Sequence, residues 1–435
     1  MLKVVTGVWA LLLGIVLIML GNGMHFTLIG LRGGIEGFSS TELAVVTSGY
    51  FAGFLLGARQ SPVMIRRVGH VRVFAALGSF MSAGLIAFPL LTEPWSWTLL
   101  RIMIGFCMSG IYVTAESWLN DASTNETRGQ VLAAYMIAQT LGIIGAQGLL
   151  NLGDAASSAL FIGASILVSV SFAPILLSAT PVPAAAVTRP MPLWELFRGS
   201  PLGTVGIFLL GGVYATQSGM GAVFGTEIGM SAAQISLFVA ALFAGALLFQ
   251  YPIGWLSDRM DRRLLIFGAS VLGAVSCGLA WAFGSQLWAL MGFAFLAGGV
   301  TTPLYALFLA YTNDALPNED MPAASGGLVL TFGIGAILGP IITGWAMERS
   351  SPFAFWLSLG ATFALIALYA VFRMTQRPAP SASETDSYLG VVPTASPVAV
   401  EAAGAWSLEN AEAEAEAAAE AEQDSPTDMA SDRIK

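Results

Sequence analysis

Asn120-Asp121-Ala122-Ser123-Thr124-Asn125-Glu126 recurs as Asn313-Asp314-Ala315-Leu316-Pro317-Asn318-Glu319, the copies differing only where Ser123 and Thr124 give way to Leu316 and Pro317. Each copy is a short polar stretch between two long apolar runs. A loop repeated in like surroundings points to a duplicated unit, here a six-span membrane unit written twice in the same orientation.

Composition supports a membrane chain. Hydrophobic residues make up 56% of it and charged residues 10%, against ~25% charged in ordinary soluble domains. Only helices or a closed barrel satisfy every backbone group in lipid. The apolar runs are continuous and about 20 residues long, not alternating segments of about 10, so the spans are helical. Twelve fit: roughly 7–29, 43–65, 73–91, 97–119, 129–152 and 156–178, then 202–224, 233–256, 264–284, 286–311, 322–346 and 352–373. Lys3 ahead of the first run resembles a signal-peptide opening. The run continues to Ile29 with no small-residue cleavage site, which makes it an uncleaved first span.

The expected fold class is therefore an all-α membrane protein of twelve transmembrane helices in two parallel six-helix repeats. Its divisions are 1–178, a cytoplasmic linker 179–200, 201–373, and an acidic tail 374–435. In the linker, Pro181, Pro183, Pro190 and Pro192 stop a continuous helix. Leu193 to Arg198 forms either a short surface helix or plain linker. The net charge of −9 belongs to the tail, since the body up to Arg373 balances its acids and bases. With few large apolar residues, the tail is expected to be disordered and solvated, with transient helix around Ala411–Glu416 or a docking role for another protein as alternatives. Nothing in this charge pattern suits a nucleic-acid partner.

Arginine placement sets the orientation. An N-terminus inside puts Lys3, Arg66, Arg67, Arg72, Arg128, Arg189, Arg198, Arg259, Arg262, Arg263, Arg373 and Arg377 on the cytoplasmic side, and only Arg32 and Arg349 outside. Both termini are then cytoplasmic.

The loop after the eighth span reads Gly254-Trp255-Leu256-Ser257-Asp258-Arg259-Met260-Asp261-Arg262-Arg263. It resembles the signature Gly-x-x-x-Asp-Arg-x-Gly-Arg-Arg of the major facilitator superfamily, with Asp261 in the second glycine's place. The first-half counterpart, Pro62 to His70, keeps Arg67 and Gly69 but lacks the first glycine and the aspartate. Arg101-Ile102-Met103-Ile104-Gly105 is similar to the family's Arg-x-x-x-Gly motif. Gly335, Gly339-Pro340 and Gly344 resemble its glycine-proline motif, displaced here from the fifth span to the eleventh. Ala115-Glu116-Ser117-Trp118-Leu119-Asn120 looks like the YcaD-like branch of bacterial permeases.

The resemblance covers residues 1–373. It implies a secondary transporter of the bacterial inner membrane that rocks one half against the other around a small-molecule site near the midplane. It also implies a cavity lined by the first, fourth, seventh and tenth spans. The alternative is a transporter-derived sensor that signals through its tail. There is no P-loop, Gly-x-Ser-x-Gly or His-Glu-x-x-His, so no nucleotide, cofactor, metal or enzymatic chemistry is expected. Cys107 and Cys277 lie in apolar runs without metal spacing. A monomer is expected.

Ionisable groups within spans are costly, which makes each a functional candidate. On the fourth span Arg101, Gly105, Tyr112 and Glu116 share one stripe. Arg101 suits an anionic group and Glu116 a coupling proton, although about 22 Å of helix separates them. Glu116 is either that proton carrier or a structural partner of Arg59 or a loop arginine. Asn22 and His25 on the first span, Tyr214, Gln217 and Ser218 on the seventh, and Thr301, Thr302 and Tyr305 on the tenth complete the pathway candidates. Their alternative role is interhelical hydrogen bonding. The candidate gating residues are Arg66, Arg67, Asp121, Gly254, Asp258, Arg259, Arg262, Arg263 and Asp314. Arg259 or Arg262 is expected to pair with Asp314, and Arg66 or Arg67 with Glu116 or Asp121. The alternative is arginines that only fix topology.

Overall fold

The structure, a computed structural model, describes residues 2–121, 123–177, 190–317, 320–376, 388, 390–404 and 406. The linker stretch 178–189, which holds Arg189, lies outside the described residues, as do Asn318, Glu319, Arg377 and residues 407–435 with Ala411–Glu416. The Lys3 side chain does too.

The first half comprises α1 (Leu2–Ile35), α2 (Ser40–Val68), α3 (His70–Ala87), α4 (Pro94–Asp121), α5 (Asn125–Leu149) and α6 (Ala159–Leu177). A short α7 (Leu193–Gly199) precedes the second half. There the seventh span is α8 (Pro201–Ala215), a π-helical turn at Thr216–Met220 and α9 (Gly221–Glu227). It is followed by α10 (Ala232–Ser257), α11 (Arg262–Phe283), α12 (Leu287–Asn313), α13 (Met321–Arg349) and α14 (Ala354–Met374). Eleven spans among the described residues are long and apolar enough to cross a membrane, and α6 carries a shorter apolar helix.

The duplication holds at every level. Both copies of the repeated phrase close the fourth helix of their half, α4 and α12. A second repeat shows only in the turns at the opposite end. Gly37 and Gly229 take positive φ (79° and 77°) and end the first and seventh spans. In each, the following residue donates its N–H back to a helix carbonyl, Phe38 to Gly33 and Met230 to Gly225, both at 2.9 Å. Such left-handed glycine ends satisfy orphan carbonyls. Two residues on, Ser39 and Ser231 open the next helices with reciprocal capping boxes to Glu42 and Gln234, which satisfies orphan N–H groups.

Helix packing repeats as well. The pairs α2–α4, α1–α5, α3–α6 and α1–α6 have counterparts in α10–α12, α8–α13, α11–α14 and α8–α14. Gly53 and Gly105 bring the α2 and α4 backbones together: a Cβ on either would collide with the carbonyl of Ile102 or Tyr50. Gly245 and Gly298 do the same for α10 and α12. The glycine-proline stretch of α13 is likewise a packing surface, with Gly335 and Gly339 against α8 and Gly344 against α2. In lipid, where the hydrophobic effect does not drive helices together, such close approach is a main source of association.

The halves meet through α2–α13, α5–α10 and α1–α9. The spans α1, α4, α8–α9 and α12 are the most buried, up to 78% of their apolar windows, while α11 is down to 33%. These four therefore surround the central axis. At the capping-box end the halves are sealed. Ser40 Oγ bonds Glu227, the Thr41 N–H donates to Glu348 Oε2 at 3.3 Å, and Ser48 Oγ donates to the Ile337 carbonyl at 2.7 Å. At the other end, where the loop arginines lie, a cavity and residues of the tail separate the halves.

The expectation of a solvated tail does not hold for its described stretch, where Val391, Ala395, Ser396, Ala399 and Val400 are each 1% exposed or less. The stretch enters the gap between the halves, and residues 397–404 form a short helix inside it.

Candidate functional site

Three layers of polar groups line the axis between the halves. Farthest from the arginine-rich end lies Arg101, 1% exposed. Its guanidinium sits 4.0 Å over the Phe26 ring and 4.6 Å over Tyr50. Its Nη1 donates to His25 Nδ1 at 3.2 Å. Arginine can only donate, so Nδ1 is the unprotonated nitrogen and any proton on the ring sits on Nε2. Among the described residues no carboxylate pairs with Arg101. Each aromatic face stabilises a desolvated guanidinium by about 2 kcal/mol. His25 is fully buried edge-on to Phe88, with ring centroids 4.5 Å apart.

The middle layer is a small cavity of about 40 Å³ lined by Asn22, Phe26, Tyr50, Tyr112, Tyr214 and Ser218, with Thr394 of the tail among its walls. The Tyr112 hydroxyl donates to the Met19 sulfur at 3.3 Å. Beside it the π-turn presents Gln217, whose Oε1 accepts from Thr301 Oγ1 at 2.9 Å. Gln217 Nε2 and the Tyr305 hydroxyl have no hydrogen-bond partner. A π-turn widens a helix locally and re-aims its side chains.

The third layer contains Glu116, the only fully buried carboxylate among the described residues. Tyr135 of α5 donates to its Oε1 at 2.9 Å, and the Ser396 N–H donates to its Oε2 at 2.8 Å. Below it, a larger cavity of about 420 Å³ opens between α5 and α10. Met136, Ile137, Gln250, Trp255, Thr302 and Tyr388 are among its walls. That volume lies within the range of small-molecule sites.

The pathway candidates thus divide. Asn22, Tyr112 and Tyr214 come together around one cavity, and Thr302 lines the other. Gln217 is bonded to Thr301 beside them, and Tyr305 packs edge-on to Phe332 at 5.4 Å. Arg101 and Glu116 are not brought together, and Phe26 and Tyr50 stand between Arg101 and the cavity. Sequence reasoning offered Arg59 as a partner for Glu116. Arg59, Arg66 and Arg67 are all exposed, and the carboxylate is held by a tyrosine and a backbone N–H instead.

Among the gating candidates, Arg262 pairs with Asp314. Both belong to the second half, so the pair braces α11 against the end of α12 rather than bridging the halves. Asp261 caps α11, accepting from the Arg263 N–H at 2.9 Å, and pairs with the Arg263 guanidinium at 2.8 Å. An aspartate is a favoured N-cap where a glycine would offer no side-chain acceptor. Arg259 donates to the Trp255 carbonyl at 3.0 Å and stacks over its ring at 4.3 Å. Asp258 Oδ1 accepts from the Tyr388 N–H at 2.8 Å. Gly254 packs beneath the Tyr388 ring. Asp121 ends α4, and its side chain lies outside the described residues.

Sequence reasoning missed Tyr50, Phe26, Tyr135, Gln250 and the tail residues. One signal for the tail was present: no charged residue falls between Asp386 and Glu401. Burial raises the Tyr388 phenol above its ordinary range, so it stays protonated, and its oxygen accepts from Gln250 Nε2 at 3.0 Å.

Comparison with known proteins gives one picture. Residues 203–408 match the family model described as Major Facilitator Superfamily. The chain is 26% identical over 384 residues to the uncharacterized MFS-type transporter YcaD of Escherichia coli, covering 86% of this chain and 98% of that protein. It is also 26% identical over 370 residues to the uncharacterized MFS-type transporter YfkF of Bacillus subtilis, covering 79% and 94%. Among solved structures it resembles the nucleoside transporter NupG, with a TM-score of 0.68, 15% identity, and coverage of 85% of this chain and 99% of that one. It also resembles a bacterial homolog of the human lysosomal transporter Spinster in an inward-facing, unoccupied conformation. There the TM-score is 0.67, identity 15%, and coverage 93% and 98%.

Proposed function

The chain belongs to the major facilitator superfamily of secondary transporters, and on that premise we propose that it moves a neutral or amphipathic small organic solute by alternating access coupled to protons. A multi-pass transporter of bacterial type is consistent with an inner-membrane location. With the arginine-rich loops in the cytoplasm, the sealed capping-box end faces outward and the other end inward. The solute site is the space between the halves, ringed by Tyr50, Tyr112 and Tyr214 with Asn22 as an amide contact. Aromatic walls with few polar groups suit a flat or amphipathic molecule whose orientation is fixed by one or two hydrogen bonds.

The observation that carries proton coupling is Glu116, a buried carboxylate whose hydrogen-bond partners among the described residues are Tyr135 and the Ser396 N–H, on a helix that lines the axis. A carboxylate there interconverts between a charged acceptor of two hydrogen bonds and a neutral donor. An intramembrane group of this kind is a proton-relay candidate on physical grounds. The gating residues of the second half serve as braces within it, Arg262 with Asp314 and Arg263 with Asp261, so that this half moves as a rigid body.

The test is flux into proteoliposomes under an imposed pH gradient, with a panel of nucleosides, sugars, amino acids, carboxylates and lipophilic cations. At least one solute should accumulate only with the gradient. Glu116→Gln should abolish gradient-driven accumulation while leaving gradient-independent exchange of that solute. Normal gradient-driven accumulation by the variant would remove Glu116 from the mechanism. The sensor reading also draws on an observation, since a tail seated in the ligand cavity is released when ligand enters. A sensor would show no flux with any solute in the panel.

A further inference from the structure

We propose that the described tail residues 388, 390–404 and 406 belong to an intramolecular plug, a segment of the chain's own tail that occupies the cavity between the halves and must leave before a solute can enter from the arginine-rich end. The proposal rests on the reading of that cavity as the transport path. Its polar contacts reach both halves. In the first, Ser396 N–H donates to Glu116 of α4 at 2.8 Å. In the second, Tyr388 N–H donates to Asp258 at 2.8 Å and Gln250 of α10 donates to the Tyr388 hydroxyl at 3.0 Å. Thr394 reaches farthest, to the wall shared with Tyr112 and Tyr214. Helix 397–404 then turns back. Gly404 lies beside Asn313 of α12, and Trp406 packs over Gly129 of α5.

The chemistry of the segment matches its place. The tail carries acids before and after the stretch 387–400, which has none. A charge carried into this cavity without a partner would be strongly opposed by desolvation. The uncharged stretch is therefore the part of the tail able to enter. Pro393 sits in a turn closed by the Ala395 N–H donating to the Val392 carbonyl at 3.0 Å, and Pro397 takes the first position of helix 397–404, where its missing N–H costs nothing. Val391, Ser396 and Val400 are as buried as residues of the bundle core.

Two consequences follow from the geometry. The docked segment takes the place a solute would occupy beside Tyr112 and Tyr214. It also wedges the arginine-rich end open, because α5 and α12 cannot close over a helix about 10 Å wide. Solute affinity then scales with the undocked fraction, so a tail docked 95% of the time weakens apparent affinity about 20-fold.

The test needs no transported solute. Cys107→Ala and Cys277→Ala remove the native thiols, and Ser218→Cys reports on the inner cavity behind Thr394. A membrane-impermeant maleimide is applied to the arginine-rich face of the full-length chain and of a chain ending at Gln376. Labelling should be at least tenfold faster without the tail. A synthetic peptide of residues 386–406 should slow it again. Equal rates and no peptide effect would overturn the proposal. The second measurement keeps the whole chain: Gly129→Cys with Trp406→Cys should form a disulfide under mild oxidation, seen as a mobility shift. Absence of that cross-link would equally refute docking. Failure to find any transported solute would leave both results standing, so the plug and the transport reading fail separately.

Discussion

Val400→Ala offers a quantitative test of tail docking. Val400 is 0% exposed, within helix 397–404. Truncation removes two methyl groups, worth about 0.8 kcal/mol each in transfer free energy, and any residual cavity adds to that loss. The sum, about 1.6 kcal/mol, exceeds the 1.4 kcal/mol that corresponds to a tenfold change in an equilibrium. The loss falls on docking alone, because the undocked tail leaves twelve packed spans intact. Maleimide labelling of Ser218→Cys, which proceeds through the undocked fraction, should accelerate about tenfold, with the melting temperature of the bundle unchanged. Val398→Ala, at a half-buried position in the same helix, loses about half as much and should accelerate it only about fourfold. Labelling of Val400→Ala at the parent rate would refute the reasoning. So would a fall in melting temperature as large as that of a core substitution, because the segment would then be part of the fold rather than a detachable occupant.

Three further outcomes follow from the packing. Gly53→Val places a branched side chain against the Ile102 carbonyl and should cost at least 1–3 kcal/mol by overpacking, read as a lowered melting temperature in detergent. An unchanged melting temperature would mean the α2–α4 approach is looser than described. Arg101→Met removes a desolvated cation with no acidic partner among the described residues, so stability should stay within about 1 kcal/mol or rise. Loss of folded protein in that variant would mean that its contacts with His25, Phe26 and Tyr50 outweigh the cost of desolvating it. Asp258→Asn keeps a side-chain oxygen able to accept from the Tyr388 N–H but loses the charge assistance. It should speed Ser218→Cys labelling two- to tenfold without altering the melting temperature, and no change in labelling would place the tail's anchor elsewhere.

The fold was largely legible because lipid imposes a simple code: continuous apolar runs must be helices, and arginines collect at one end. The repeated phrase at Asn120 and Asn313 marked the same point in both halves, the end of the fourth helix. The glycine-proline stretch of α13 was visible as a motif, though not that its glycines would meet α8 and α2. The turns at Gly37–Glu42 and Gly229–Gln234 are equally repeated, but their residues differ enough that only the shared geometry shows it.

The site was less legible, because it depends on which helix faces converge. Arg101 and Glu116 lie on one helical stripe, yet Phe26 and Tyr50 from two other helices screen the arginine from the cavity. Glu116 invited an arginine partner by charge, and what reaches it is Tyr135 and a tail backbone N–H. The tail itself was misleading. Its composition as a whole reads as solvated, and the average conceals the uncharged stretch from Ser387 to Val400. Prolines within that stretch suppress the helical periodicity that would have marked a buried element.

The central claim is that two rigid six-helix halves alternate access to one cavity, held open at the arginine-rich end by the tail. Spin labels placed on each half report this directly, one pair at Arg67 and Arg259 and the other at Glu42 and Ala233. On removal of residues 377–435, the first distance distribution should gain a shorter population and the second a longer one, in equal proportion. Two distributions that stay single and unchanged would contradict the account.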